Sequence, residues 1–208
     1  MIPEADGLGP GIKNEGDSMT TSPTMPSTTV SPGEPPMLDR LRNLVRDIPD
    51  YPSPGIVFRD ITPLLRDPAG LSLAVELMVN PFRDANIDLV VGAESRGFIF
   101  GTALARALNA GFIPIRKKGK LPGDTVSQDY ELEYGHDTLE IHTDAIQPGQ
   151  RVLMVDDLIA TGGTLEAGVK MIEQLGGELV GITVLIELRG LDGAKRVEPH
   201  QVHAVLRY

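Results

Sequence analysis

The sequence predicts one α/β domain, a central and mostly parallel sheet flanked by helices, preceded by a disordered N-terminal extension. Three observations carry that prediction. Runs of adjacent apolar residues, such as Asp88-Leu-Val-Val91 and Arg151-Val-Leu-Met-Val155, read as strands buried on both faces, as parallel strands are. Stretches of helical spacing fall between them, and strands alternating with helices build a parallel sheet covered on both sides. The 208-residue chain is also the size of one domain, and shorter still once residues 1–36 are set aside. That segment holds seven Pro, five Gly, five Thr and four Ser, and no aromatic residue. It cannot bury enough apolar surface to offset its ordering entropy, which leaves residues 37–208 as the folded domain.

In chain order, Leu38, Leu41, Leu44, Val45 and Ile48 recur at three- and four-residue spacing and predict a helix that Pro49, Pro52 and Pro54 end. A short apolar piece at residues 55–58 leads into Arg59-Asp60. Residues 70–79 read as helix, 88–91 as a strand closed by Gly92, 98–108 as helix and 112–116 as strand. Residues 117–128, rich in Gly, Pro and charge, read as a long loop. Residues 130–134 and 138–142 read as a β-hairpin joined through Gly135-His-Asp. A strand at 151–155 follows, then a helix at 162–175 with Leu165, Val169, Ile172 and Leu175 on one face. Residues 179–188 form a further strand and 202–206 an edge strand. No internal repeat is present.

Composition excludes several classes of function. Without cysteine there is no disulfide framework, zinc–thiolate site or cysteine nucleophile, and a reducing cytoplasm is the expected location. No apolar run reaches the ~18 residues of a membrane span, and the N-terminus lacks the basic and apolar parts of a signal peptide. The net charge of −10, of which the first 36 residues supply −4, argues against nucleic acid as a partner. Basic residues nonetheless gather at Arg116, Lys117, Lys118 and Lys120, with no acid before Asp124. That cluster is either a solvated loop or a clamp for an anion.

The informative segment is Val152-Leu-Met-Val-Asp-Asp-Leu-Ile-Ala-Thr-Gly-Gly-Thr164. An apolar strand ends in two carboxylates at its C-terminal end, where open α/β sheets place their ligands. Ala160-Thr-Gly-Gly-Thr164 then opens into a helix. Gly162 and Gly163 let the backbone approach an anion, Thr161 and Thr164 add hydroxyls, and the helix N-terminus adds a favourable dipole. No Lys follows the glycines, so this is not a P-loop, and the spacing is not that of a dinucleotide fingerprint. Asp156 and Asp157 are natural partners for two vicinal hydroxyls. Phosphate and diol together point to a ribose 5-phosphate.

Val155-Asp-Asp-Leu-Ile-Ala-Thr-Gly-Gly-Thr164 resembles the phosphoribosyl pyrophosphate (PRPP) motif of the type I phosphoribosyltransferases. The resemblance continues through Tyr51-Pro-Ser-Pro-Gly-Ile-Val-Phe-Arg-Asp60, Glu94-Ser-Arg-Gly-Phe-Ile-Phe-Gly101, Arg116-Lys-Lys-Gly-Lys-Leu-Pro-Gly123 and Leu132-Glu-Tyr-Gly135. It is to the adenine-using branch, over roughly residues 37–208, and it implies the type I phosphoribosyltransferase fold with a flexible hairpin or lid loop. The implied reaction joins adenine to PRPP and gives AMP and pyrophosphate, a purine-salvage step. Enzymes for hypoxanthine and guanine typically carry an acid where this chain has Ala160. A PRPP-sensing regulator of the same fold would need a DNA-reading module, and the N-terminal segment here is acidic and Pro-rich.

The resemblance also implies residue roles. Asp156 and Asp157 would hold the ribose hydroxyls, and Ala160, Thr161, Gly162, Gly163 and Thr164 the 5-phosphate. Ser95, Arg96, Arg116, Lys117 and Lys120 would meet pyrophosphate, with the Glu94–Ser95 peptide cis and the loop cations reaching a neighbouring subunit. Adenine would lie against Val57, Phe58 and Arg59, read mainly by backbone groups at Val57 and Arg59, with Leu158 on its other face. Glu133 would exchange a proton with the purine. Alternation places Glu131 on the same strand face, so only the Leu-Glu-Tyr-Gly register selects Glu133. Mg²⁺ is the implied cofactor, bound mainly through pyrophosphate rather than by a protein cage, and a homodimer is the implied assembly.

Overall fold

The structure is a computed structural model and describes residues 37–131 and 136–208. The predicted N-terminal extension and residues 132–135, Glu133 among them, lie outside the described residues.

The first helix, α1 (Met37–Asn43), buries Leu41 and is shorter than its spacing predicts. The periodicity runs on to Ile48, but residues 46–49 instead form β1 (Arg46–Pro49), antiparallel to β2 (Val57–Asp60) with Ile48 opposite Phe58. Pro49 disfavours a helical backbone at the residue before it, and β2 offers that extended segment a partner. Asp60 ties the pair to the start of the next helix. It accepts from Arg46, directly opposite in the ladder, and from both the N–H and the hydroxyl of Thr62, each at 2.9 Å. The Thr62 N–H, with help from Arg46, holds its carboxyl below the ordinary range despite burial. That short helix, α2 (Thr62–Arg66), precedes α3 (Pro68–Val79); Asp67 caps α3 by accepting from the Gly70 N–H at 2.5 Å.

Among the described residues the main sheet has seven strands: β3 (Leu89–Ala93), β4 (Gly111–Lys117), β5 (Thr125–Glu131), β6 (His136–His142), β7 (Arg151–Ile159), β8 (Glu178–Glu187) and β9 (Val202–Arg207). Their order is β5-β6-β4-β3-β7-β8-β9, parallel from β4 to β9 and antiparallel across the β5–β6 hairpin. The predicted loop at 117–128 is therefore too long. Residues 125–128 already belong to β5, opposite residues 139–142. This is the outermost strand of the sheet, so Ser127, Gln128 and Asp129 can be polar, which hides the strand in the sequence.

Helices cover both faces. Residues of α1 to α4 pack with Val90, Leu153 and Val155 in one core, and α4 (Gly97–Leu108) contributes Phe100 and Leu104. Val91, Val152 and Met154, one step along the same strands, point to the other face and meet α5 (Gly163–Gln174) and the hairpin. There Leu165, Val169 and Ile172 are buried as their spacing predicts, each worth roughly 1.5–3 kcal/mol in apolar burial.

Candidate active site

The strand order reverses between β3 and β7. The chain leaves β3 through α4 towards β4 on one side, and leaves β7 through α5 towards β8 on the other. The C-terminal ends of these neighbours are thus free of crossing chain, and ligands bind at such a switch point. Here it is a cleft of about 550 Å³ lined by residues 94–96 and 156–165. The β3–β7 pairing ends at Gly92 and Val155, so Asp156 and Asp157 project just beyond it. Both are buried, and Asp156 Oδ1 accepts the Asp157 N–H at 2.8 Å. Burial, and then the charge of Asp157 beside it, push the Asp156 carboxyl well above its usual range. Arg96 Nε donates to Asp157 Oδ2 at 2.5 Å from across the cleft.

Residues 160–164 carry the chain from β7 into α5, with Gly162 in the left-handed region at φ +86°. The loop thereby delivers the unpaired N–H groups of the first turn of α5 to the cleft. Acceptors for hydroxyls lie on one wall and donors for an anion on the next. Of the residues singled out in the sequence, Ser95, Arg96, Asp156, Asp157, Leu158 and Ala160 to Thr164 all line this cleft.

Phe58 lies at its margin. The Arg96 guanidinium carbon is 5.4 Å from the Phe58 ring centre, and Tyr51 meets that ring edge-on at 5.3 Å. Among the described residues, the sheet formed by β1 and β2 has only these two strands, which leaves one edge of β2 open. Pro49 has no N–H, so the Pro49–Val57 pair cannot exchange two hydrogen bonds, and Ile48–Phe58 is the bonded pair. Alternation then turns the backbone groups of Val57 and Arg59 to the open edge. The basic cluster stands further off. Arg116 Nε and the Lys117 N–H both donate to Glu94 Oε2, at 3.1 and 2.9 Å, and Lys117 Nζ meets Asp137 at 2.9 Å. Although burial works against it, these bonds keep the Glu94 carboxyl below its usual range. Lys120 joins the cluster through its carbonyl, which accepts from Arg116 at 3.3 Å.

Residues 60–205 match the phosphoribosyl transferase domain family. Over 168 residues the chain is 61% identical to an adenine phosphoribosyltransferase of Rhodopirellula baltica, covering 81% of this chain and 82% of that one. The chain belongs to the adenine phosphoribosyltransferase family. The crystal structure of the Rhodothermus marinus adenine phosphoribosyltransferase superposes with a TM-score of 0.79 at 54% identity, covering 83% of this chain and 98% of that one. The Saccharomyces cerevisiae adenine phosphoribosyltransferase, crystallised with an imino-altritol bisphosphate and adenine, gives 0.78 at 39% identity, covering 82% and 98%.

For this member of the family, three features of the site escaped sequence reasoning. At Gly97, the first residue of α4, a Cβ would stand 2.9 Å from Asp156 Oδ1, so only glycine lets the helix start this close to the acid pair. At Gly193, in a 3₁₀ turn after β8, a Cβ would collide with the Ala160 carbonyl and fall 2.8 Å from the Gly162 nitrogen. The hairpin supplies a third: Tyr130 and Asp137 face each other across β5 and β6, and the Tyr130 hydroxyl donates to Asp137 at 3.4 Å. The Glu94–Ser95 peptide is cis, as expected.

Proposed function

We propose that the protein transfers the phosphoribosyl group of PRPP to adenine, giving AMP and pyrophosphate, in the cytoplasm and as a homodimer. The observation that carries this reading is the buried Asp156–Asp157 pair running directly into the 160–164 turn and α5, in a chain 61% identical to an adenine phosphoribosyltransferase. The two carboxylates accept from the ribose hydroxyls, and the 160–164 backbone with Thr161 and Thr164 donates to the 5-phosphate. Arg96 exchanges its bond with Asp157 for the pyrophosphate, and Ser95 offers its N–H and hydroxyl to the same group. Arg116, Lys117 and Lys120 add positive charge, within the protomer or across a two-fold interface.

Adenine docks on the open edge of β2, with Phe58 and Leu158 on its faces and the backbone of Val57 and Arg59 at its polar edge. Holding N9 in line with C1 removes much of the orientational cost, and displacement of pyrophosphate then proceeds with inversion. Donors fixed on the departing group lower the barrier further because they need no reorganisation. Glu133 takes or relays the imidazole proton. Asp156 and Asp157 offer hard oxygen donors that would suit Mg²⁺, and this ion, when bound with PRPP, would help neutralise the leaving group's charge. Assays with adenine, hypoxanthine, guanine and orotate side by side test the reading. Turnover with adenine and PRPP alone is expected, and a preference for another base would overturn it.

A further inference from the structure

Arg59, in β2, is not among the residues that line the cleft. Arg59 Nη1 pairs with Asp47, opposite it in the β1–β2 ladder, and that carboxylate is more than half exposed. Arg59 Nε is buried and has no hydrogen-bond partner among the described residues. The other contact that fixes the guanidinium is a ring: Tyr208 lies with its centre 4.1 Å from the Arg59 guanidinium carbon. Tyr208 is itself anchored. Its N–H donates to the Glu187 carbonyl at 3.0 Å, and its carbonyl accepts the Arg189 N–H at 2.9 Å, which ties it to the end of β8.

We propose that Tyr208 is a positioning residue for the base site: its ring buttresses Arg59 from behind and so fixes the main-chain edge of Val57–Arg59 on which adenine docks. The proposal rests on the reading of that edge given under Proposed function. A two-stranded ribbon is marginal by itself; Asp60 fastens one end of this one to α2, and the Tyr208 ring meets it at Arg59. A planar guanidinium over an aromatic face, with one nitrogen left without a hydrogen bond, gains more from the stack than a hydrogen-bonded surface arginine would. The contact is made by the face of the Tyr208 ring. Phenylalanine should therefore replace it and alanine should not.

The test is steady-state kinetics on the full chain with both substrates, alongside thermal melting. Tyr208→Ala should raise the adenine KM roughly 5- to 30-fold while leaving the PRPP KM within about twofold, and Tyr208→Phe should restore wild-type behaviour. Arg59→Lys keeps the charge but loses the planar stack and should reproduce the alanine effect if Tyr208→Ala proves too unstable to assay. An unchanged adenine KM in Tyr208→Ala, an equal rise in both KM values, or a Tyr208→Phe enzyme as weak as the alanine variant would each overturn the proposal. Phe58→Ala separates it from the reading beneath it. Impaired adenine binding in Phe58→Ala with normal Tyr208→Ala leaves the base site standing and removes the buttress; normal adenine binding in Phe58→Ala removes both.

Discussion

Asp156 sits where burial and the neighbouring Asp157 both oppose its charge. A carboxyl whose folded pKa is raised contributes stability below its unfolded value and loses it as pH rises through the folded one. At neutral pH the folded protein therefore carries a cost that Asp156→Asn removes. The variant should melt at a higher temperature than wild type at pH 7, and the difference should close as pH falls into the ordinary carboxylate range. Melting curves across that range check it, and a gap that widens on acidification would reverse the assignment. The same variant should bind PRPP less well, since an amide offers one acceptor where the carboxylate offers two. For Glu133, Glu133→Gln should slow the chemical step by roughly 10²–10⁴-fold with PRPP affinity near normal, while Glu131→Gln does little. Single-turnover rates on both variants separate them, and a full-speed Glu133→Gln enzyme would leave the proton to another group.

The phosphate turn is built by two elements remote in sequence. Residues 160–164 follow β7, but the 3₁₀ turn Gly193–Val197 presses on them from behind, and Arg196 Nε in that turn donates to Glu166 of α5 at 2.9 Å. Lys170 first, and then Arg196, hold the Glu166 carboxyl below its usual range. Gly193→Ala would drive a methyl group into three backbone atoms of the turn, none of which can swing aside. Its PRPP KM should rise roughly tenfold or more, or ~1.4 kcal/mol, with a smaller change for adenine, and an unaltered PRPP KM would mean that the turn yields freely. This contact also marks what the sequence could and could not tell. The turn was legible because its glycines, threonines and acids are contiguous. Gly97 and Gly193 were not, because their constraint is set by atoms of a different segment. Among the elements, β3, β7 and α5 were legible from unbroken apolar runs or clean periodicity. The strand β1 was missed because Ile48 continues the helical spacing by chance, although the proline after it was a signal against a helix there. The start of β5 was missed because an outer strand need not look apolar.

At the scale of the molecule, the family match and the cores concern residues after 36. Removal of residues 1–36 should leave kcat/KM and Tm nearly unchanged; a melting point lower by several degrees would show that the segment docks on the domain. The core beneath α1 to α4 carries a further consequence. It is closed by residues from both ends of the domain, Leu41 and Leu64 on one side and Val205 and Leu206 on the other. A ribosome adding about 5–20 residues per second exposes the first of these many seconds before the last exists. Until β9 arrives, the core beneath α1 to α4 lacks the part of its cover that Val205 and Leu206 supply. Closure of this core is thus a late event of synthesis, because the last strand made is one of those that close it.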